Sequence, residues 1–310
     1  MTIRNILLVS VYTYRAVLST FDIFLTSNVT FSQKRKGFVL WRKRLFLLTF
    51  GRIFRILEAT KPKGRLTRMA FDKLVFEEHF DGDTLNRDIW DYEIGFIRNH
   101  EPQYYTDRPC NIFVKDSMLH IVTLREDYEG AKYTSASINT MGKYSCLYGR
   151  VEMRAKLPFS KGLWPAFWMM GENYPVVNWP RCGEIDIMEM IGKEDDPGSN
   201  GEQTMSLHYF SKEANDIHSS IERYRSPYEC FGDDFHTWAI EWEEGEIRWY
   251  FDDVMTRKAP LTEDMLGCFN KPQFILVNTA LSDWNDNERP DDEHTQLPQE
   301  YLIDYIRVYQ

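Results

Sequence analysis

The chain has little cysteine, only five residues in 310, at Cys110, Cys146, Cys182, Cys230 and Cys268. An odd number at wide spacing excludes a dense disulfide framework, and no two stand at the paired spacing of a zinc site. Long apolar runs are also missing. The stretches Ile6 to Tyr14 and Leu45 to Phe50 are flanked or broken by Arg4, Arg15, Asp22 and Arg42 to Arg44. Neither reaches the roughly 18–20 apolar residues of a membrane span. Ile6 to Tyr14 after Arg4 has the look of a signal-peptide apolar region, but no small-residue cleavage site follows. Basic charge is scarce beyond residue 68. Of 37 Lys/Arg and 47 Asp/Glu, the first 68 residues hold 14 and 2, which leaves 23 against 45 for residues 69–310. Such acidity argues against nucleic-acid binding by residues 69–310.

So sharp a break in charge is not expected inside one domain. Residues 1–68 are expected to be a basic segment that is disordered or no part of the working protein, and residues 69–310 a folded domain, with Met69 as the working start. That start would carry nothing to direct export and implies a cytoplasmic protein; a secreted or membrane-associated one, with a basic surface anchor, is the alternative. A monomer without a membrane partner is expected.

What the chain does have is a concentrated acidic motif. Glu184-Ile-Asp-Ile-Met-Glu189 sets three carboxylates in a β-branched run between Gly183 and Gly192, the pattern of a strand. Alternation puts Glu184 and Asp186 on one face and Ile185 and Ile187 on the other. Met188 would then join the acids, unless a one-residue β-bulge at Ile187 or Met188 returns Glu189 to their side. Two glutamates leaning together across about 13 Å of strand approach the roughly 5 Å carboxylate separation of retaining glycosidases. A solvated acidic strand edge is the plainer alternative. Upstream, Gly162-Leu-Trp-Pro-Ala-Phe-Trp-Met-Met-Gly171 reads as a strand with Trp164, Ala166 and Trp168 on one face. Two indoles there make a flat apolar shelf on which sugar rings stack, although tryptophans are as readily core residues.

The stretch from Tyr148-Gly-Arg-Val-Glu-Met-Arg-Ala-Lys-Leu-Pro158 through the tryptophan segment to Cys182-Gly-Glu-Ile-Asp-Ile-Met-Glu189 closely resembles glycoside hydrolase family 16. Within it, the extra residue Met188 is similar to the laminarinase (endo-β-1,3-glucanase) branch rather than the lichenase branch. Weaker matches are Gln103-Tyr-Tyr-Thr106, Phe235-His-Thr-Trp-Ala-Ile-Glu-Trp242 and Leu302-Ile-Asp-Tyr-Ile-Arg-Val-Tyr309, so the likeness runs from about Leu74 to the C-terminus.

The resemblance implies Glu184 as nucleophile, Glu189 as general acid/base and Asp186 as the carboxylate that tunes both. The physics agrees, since nucleophile and acid need separated pKa values and crowded carboxylates cannot all ionise. His208 is placed to hydrogen-bond the acid/base or to serve structurally. Asn99 and Glu101 match positions that touch sugar hydroxyls, and Trp284 is positioned to stack on a sugar. No cofactor is needed for catalysis. A structural Ca²⁺ on the convex face is implied, with Asp304 as its carboxylate ligand. The run Asp291-Asp-Glu-His294 is read as a solvated loop rather than a metal site. Departures from the family pattern are His100 in place of Asn, Ser137 in place of a frequent Arg, and Ser282-Asp-Trp-Asn-Asp286 in place of a glycine-rich loop.

Alternating runs at Met118 to Leu124, Arg150 to Lys156, Trp238 to Glu243, Ile247 to Asp252 and Gln273 to Thr279 predict an all-β sandwich. Turns are expected at Glu244-Gly245 and Asp252-Asp253. By resemblance this is a β-jelly roll of two antiparallel sheets, the concave one forming the substrate cleft. The expected function is retaining, endo-acting hydrolysis of a β-glucan with β-1,3 or mixed β-1,3/1,4 linkages, the substrate being a polysaccharide or oligosaccharide. The alternatives are the same chemistry on another polysaccharide, transglycosylation, or non-catalytic carbohydrate binding.

Overall fold

The computed structural model describes residues 71–193, 197–282 and 288–310. The expectations for residues 1–68 and for Trp284 lie outside the described residues. In chain order the strands are β1 (Leu74–Glu78), β2 (Asp91–Glu93), β3 (Gln103–Tyr105), β4 (Ile112–Lys115), β5 (Met118–Tyr128), β6 (Ala131–Ser135), β7 (Ser137–Asn139), β8 (Ser145–Cys146) and β9 (Gly149–Lys156). They continue as β10 (Leu163–Gly171), β11 (Glu184–Glu189), β12 (Glu202–Ser211), β13 (Asp216–Arg225), β14 (His236–Glu243), β15 (Glu246–Phe251), β16 (Val254–Pro260), β17 (Gln273–Leu281) and β18 (Gln299–Tyr309). Two short helices, α1 (Tyr174–Val177) and α2 (Glu263–Phe269), sit between strands.

The strands form two sheets, as the sequence predicts. One runs β16-β15-β14-β9-β18-β5-β6-β3, with β1 and β4 attached to β18 and β5; the other runs β13-β12-β11-β10-β17-β7-β2, with β8 on β17. Pairing is antiparallel except between β3 and β6, which are parallel. All five alternating runs are strands, and both expected turns exist. At the β15–β16 turn Asp252 and Asp253 have φ of 45° and 61°, the paired left-handed conformation that matches the twist of a two-residue hairpin.

Alternation explains the core. Phe167 and Met169 of β10, Ile275 and Val277 of β17, and Met205 and Leu207 of β12 point inward. They meet Val151, Met153, Trp238, Ile240, Trp242, Trp249 and Ile306 of the opposite sheet. β10 and β17 are buried along their whole length, because their second face is the floor of a cleft rather than open surface.

The alternation breaks where it matters. Asp186 pairs with Ser206 and Glu189 with Thr204, so two β11 residues oppose one on β12. Against β10, Phe167 faces Met188 and Trp168 faces Asp186, which leaves Ile187 as the extra residue. Ile187 and Met188, although adjacent, both enter the core, and Glu189 returns to the side of Glu184 and Asp186. This is the predicted bulge. From the opposite sheet, Trp249 Nε1 donates to the Asp186 carbonyl oxygen at 2.8 Å, satisfying a buried backbone acceptor beside the irregularity.

Glycine brackets β11 for steric reasons. Gly183 has φ of +81°, and a Cβ on Gly192 would stand 1.9 Å from the Ser160 carbonyl oxygen. Gly192→Ala is therefore expected to destabilise the protein by about 1–3 kcal/mol, read from urea unfolding. A loss within error of zero would show that the Ser160 backbone yields freely.

Candidate active site

Glu184 and Glu189 line a cleft of about 430 Å³ on the outward face of the second sheet, together with Asn99, Trp164, Trp168, Trp179, His208 and Ser219. Asp186 lies beneath it, 2% exposed. Each carboxylate has its own partners. Glu189 Oε1 accepts from Trp164 Nε1 at 2.8 Å. Glu184 Oε2 accepts from Trp179 Nε1. Asp186 interacts with Glu184 and Ser206.

Burial is the main force on the two deeper acids. It pushes the Asp186 carboxyl well above the usual range, and the charge of Glu184 and a hydrogen bond with it push the same way. Glu189 is raised first by burial, then by the charges of Asp186 and Glu184; His208 and the Trp164 hydrogen bond pull it back. The neutral forms are thus favoured in the fold. Because the folded chain holds these protons more tightly than the unfolded one, the stability they contribute is present at low pH. It is lost as pH rises through their raised values.

His208 is in the cleft, but its expected partner is corrected. Register sets it opposite Glu184, whereas Glu189 faces Thr204. Its Nε2 therefore lies 3.2 Å from Asp186 Oδ2, at ion-pair distance but without hydrogen-bond alignment, since that oxygen has no hydrogen-bond partner. On its other side Nδ1 is 2.6 Å from Ser219 Oγ of β13. The imidazole acts on Glu189 only through space.

The open shelf expected of Trp164 and Trp168 is also corrected. Both indoles face the cleft, yet they are only 7% and 5% exposed. The Arg98 guanidinium lies 5.0 Å over the Trp168 ring, and Trp168 Nε1 donates to Asn278 Oδ1 at 2.8 Å. Among the described residues the open indole is Trp179, 42% exposed, which sequence reasoning missed. Its only signal is a loop tryptophan beside Pro180, five residues before Glu184.

Asn99 reaches the cleft and Glu101 stands behind it. Glu101 Oε1 accepts from Asn99 Nδ2 at 3.2 Å, and Oε2 from Gln103 Nε2 at 2.6 Å and the Tyr105 hydroxyl at 3.3 Å. Asn278 Nδ2 in turn donates to the Tyr105 oxygen at 3.0 Å. Glu101 thus anchors a chain of hydrogen bonds that ends on Trp168; its carboxylate is occupied, and burial raises its pKa. Arg98 was missed as well. It is ion-paired with Glu93, which also accepts from Ser137 Oγ at 2.5 Å. The guanidinium that the resemblance leads one to expect at position 137 is supplied beside it by the loop.

Asp304 lies in β18 of the other sheet, where the register slips between Ile303 and Tyr305. Its carboxylate is ion-paired with Arg154. The guanidinium engages Oδ2 of that carboxylate. Asp291 is more ordered than a solvated loop residue: it accepts from Lys161 Nζ at 2.6 Å and from the backbone N–H groups of Glu293 and His294 at 2.9 and 2.6 Å.

A family model described as glycosyl hydrolases family 16 matches residues 101–307. The chain belongs to that family. It is 36% identical over 251 residues to the β-glucanase of Rhodothermus marinus, covering 76% of this chain and 85% of that one. It is 30% identical to glucan endo-1,3-beta-glucosidase A1 of Niallia circulans, where it spans only 37% of the relative's length. Among solved structures, the catalytic domain of an endo-1,3-beta-glucanase (laminarinase) from Thermotoga petrophila superimposes with a TM-score of 0.67 at 38% identity, covering 77% of this chain and 98% of that one. The family-16 jelly roll expected from the sequence is the observed fold, and the chain is a glycoside hydrolase of the β-glucan-cleaving kind.

The site's electrostatics are open to direct titration of the Glu189 carboxyl carbon by NMR. Asp186→Asn removes a carboxyl group whose ionised form raises Glu189 and is expected to lower its midpoint. Trp164→Phe removes a donor to the ionised form and is expected to raise it. Shifts of the same sign in both variants would refute this account of the site.

Proposed function

We propose that this family-16 chain cleaves β-1,3-linked glucan internally, with retention of configuration. The observation that carries the reading is the bulged strand, which presents Glu184 and Glu189 to one cleft with Asp186 buried between them. Glu184 attacks the anomeric carbon while Glu189, held neutral by burial, protonates the departing glycosidic oxygen. A glycosyl ester on Glu184 results. Glu189, now a carboxylate, takes a proton from the water that attacks this ester, and free Glu184 is restored.

The neighbours have defined tasks in this scheme. Trp179 holds Oε2 of Glu184, which leaves Oε1 for the attack. Asp186, favoured as its neutral form, shares a hydrogen bond with Glu184 and eases its charge as the ester breaks. The sugar at the open indole of Trp179 is held by stacking, and Asn99 meets hydroxyls at the far wall. Two carboxylates are sufficient for the chemistry, so no cofactor takes part. Binding alone has no use for three crowded acids, which is why catalysis is preferred to a purely carbohydrate-binding role.

The test is reducing-sugar release from laminarin and from mixed-linkage β-glucan by the full chain. Glu184→Gln and Glu189→Gln are each expected to lower turnover by about 10²–10⁴-fold. Proton NMR of the first products is expected to show the β-anomer before mutarotation. Folded protein that releases nothing from either glucan would overturn the substrate assignment, and an initial α-anomer would overturn the retaining mechanism.

A further inference from the structure

Glu184, Asp186 and His208 each offer one ligand atom, and the three atoms lie within 4.8 Å of one another. Asp186 and Glu184 are two residues apart on β11, and His208 stands opposite Glu184 on β12. Paired strands therefore fix the triangle, with no loop in it. Within it, His208 Nε2 and Asp186 Oδ2 are 3.2 Å apart. Ligand atoms around a tetrahedral zinc are about 3.4 Å apart at its usual bond lengths of about 2.0–2.2 Å.

A second observation points to a cation. Asp186 is 2% exposed, and its Oδ2 is a buried oxygen with no hydrogen-bond partner, turned toward the imidazole. The groups around the triangle are arranged as around a metal-ligating histidine. His208 Nδ1 has Ser219 Oγ at 2.6 Å, a partner that can hold the tautomer with the Nε2 lone pair facing Asp186. Trp179 engages only Oε2 of Glu184. Glu184 and His208 both line the cleft, so a fourth position would open toward it.

We propose that Glu184, Asp186 and His208 form a binding site for a divalent d-block cation of the Zn²⁺ type, and that this cation competes with the glucan for the cleft. One nitrogen and two carboxylate ligands suit zinc and its neighbours, whereas Ca²⁺ and Mg²⁺ are served by oxygen alone. The cation ties down the carboxylate that must attack the sugar, so bound metal is an off state. The inhibitory consequence rests on the hydrolase reading; the binding does not.

The test is calorimetric titration of ZnCl₂ into the full, tag-free chain. One site is expected, weakened at least about tenfold by His208→Ala and by Glu184→Gln, the scale on which lost zinc-site contacts act. Cys110→Ser and His294→Ala remove other zinc-seeking side chains and are expected to leave that site unchanged. Excess laminarin oligosaccharide is expected to weaken zinc binding, and CaCl₂ to leave the site unfilled. Wild-type affinity in both His208→Ala and Glu184→Gln, or no binding at millimolar zinc, would overturn the site. Zinc binding that oligosaccharide leaves untouched would overturn the competition. Zinc bound at the triangle of a chain inert on glucans would keep the site and sink the hydrolase reading.

Discussion

The site depends on one extra residue in one strand. Without the bulge at Ile187, period-two alternation along these same six residues would send Glu189 into an apolar core, where a carboxylate without partners is costly. With it, two adjacent apolar side chains, Ile187 and Met188, both enter the core, and three acids share the opposite face. The irregularity is held from both sides. Trp249 spans the sandwich to the Asp186 carbonyl, and the glycines at 183 and 192 let the chain enter and leave where a Cβ would collide with Cys268 or Ser160. Catalytic geometry and core packing are thus two readings of the same six residues.

That arrangement concentrates like charge where solvent cannot screen it. The fold meets the difficulty by favouring the neutral forms of the deeper acids and by surrounding the group with indole N–H donors, an imidazole and the buried Arg257, whose charge also acts on Asp186. Neither Asp186 nor Glu189 titrates independently of the acids beside it. Any change to one member is felt by the others, and the opposed effects of Asp186 and Trp164 on Glu189 show the balance from both sides.

Much of this was legible in the sequence, for local reasons. The bulge could be inferred because Met188 breaks an alternation that is otherwise strict, and the five strand runs because their apolar positions repeat every second residue. What failed depends on contacts between distant segments. The partner of His208 is decided by β11–β12 register. The cover over Trp168 comes from Arg98, seventy residues earlier in the chain, and the saturation of Glu101 from Asn99, Gln103 and Tyr105 folding back upon it.

Trp179 carries a consequence of a different kind. Among the described tryptophans, Trp90, Trp164, Trp168, Trp238, Trp242 and Trp249 are sealed at 7% exposure or less, while Trp179 is 42% exposed and bound to Glu184. Trp90, Trp238, Trp242 and Trp249 belong to the core, where surroundings do not change when the cleft fills, whereas Trp164, Trp168 and Trp179 line that cleft. Of these three, Trp179 is the one open to solvent and bonded to Glu184, so the enzyme carries its own fluorescent reporter of cleft occupancy and needs no attached dye.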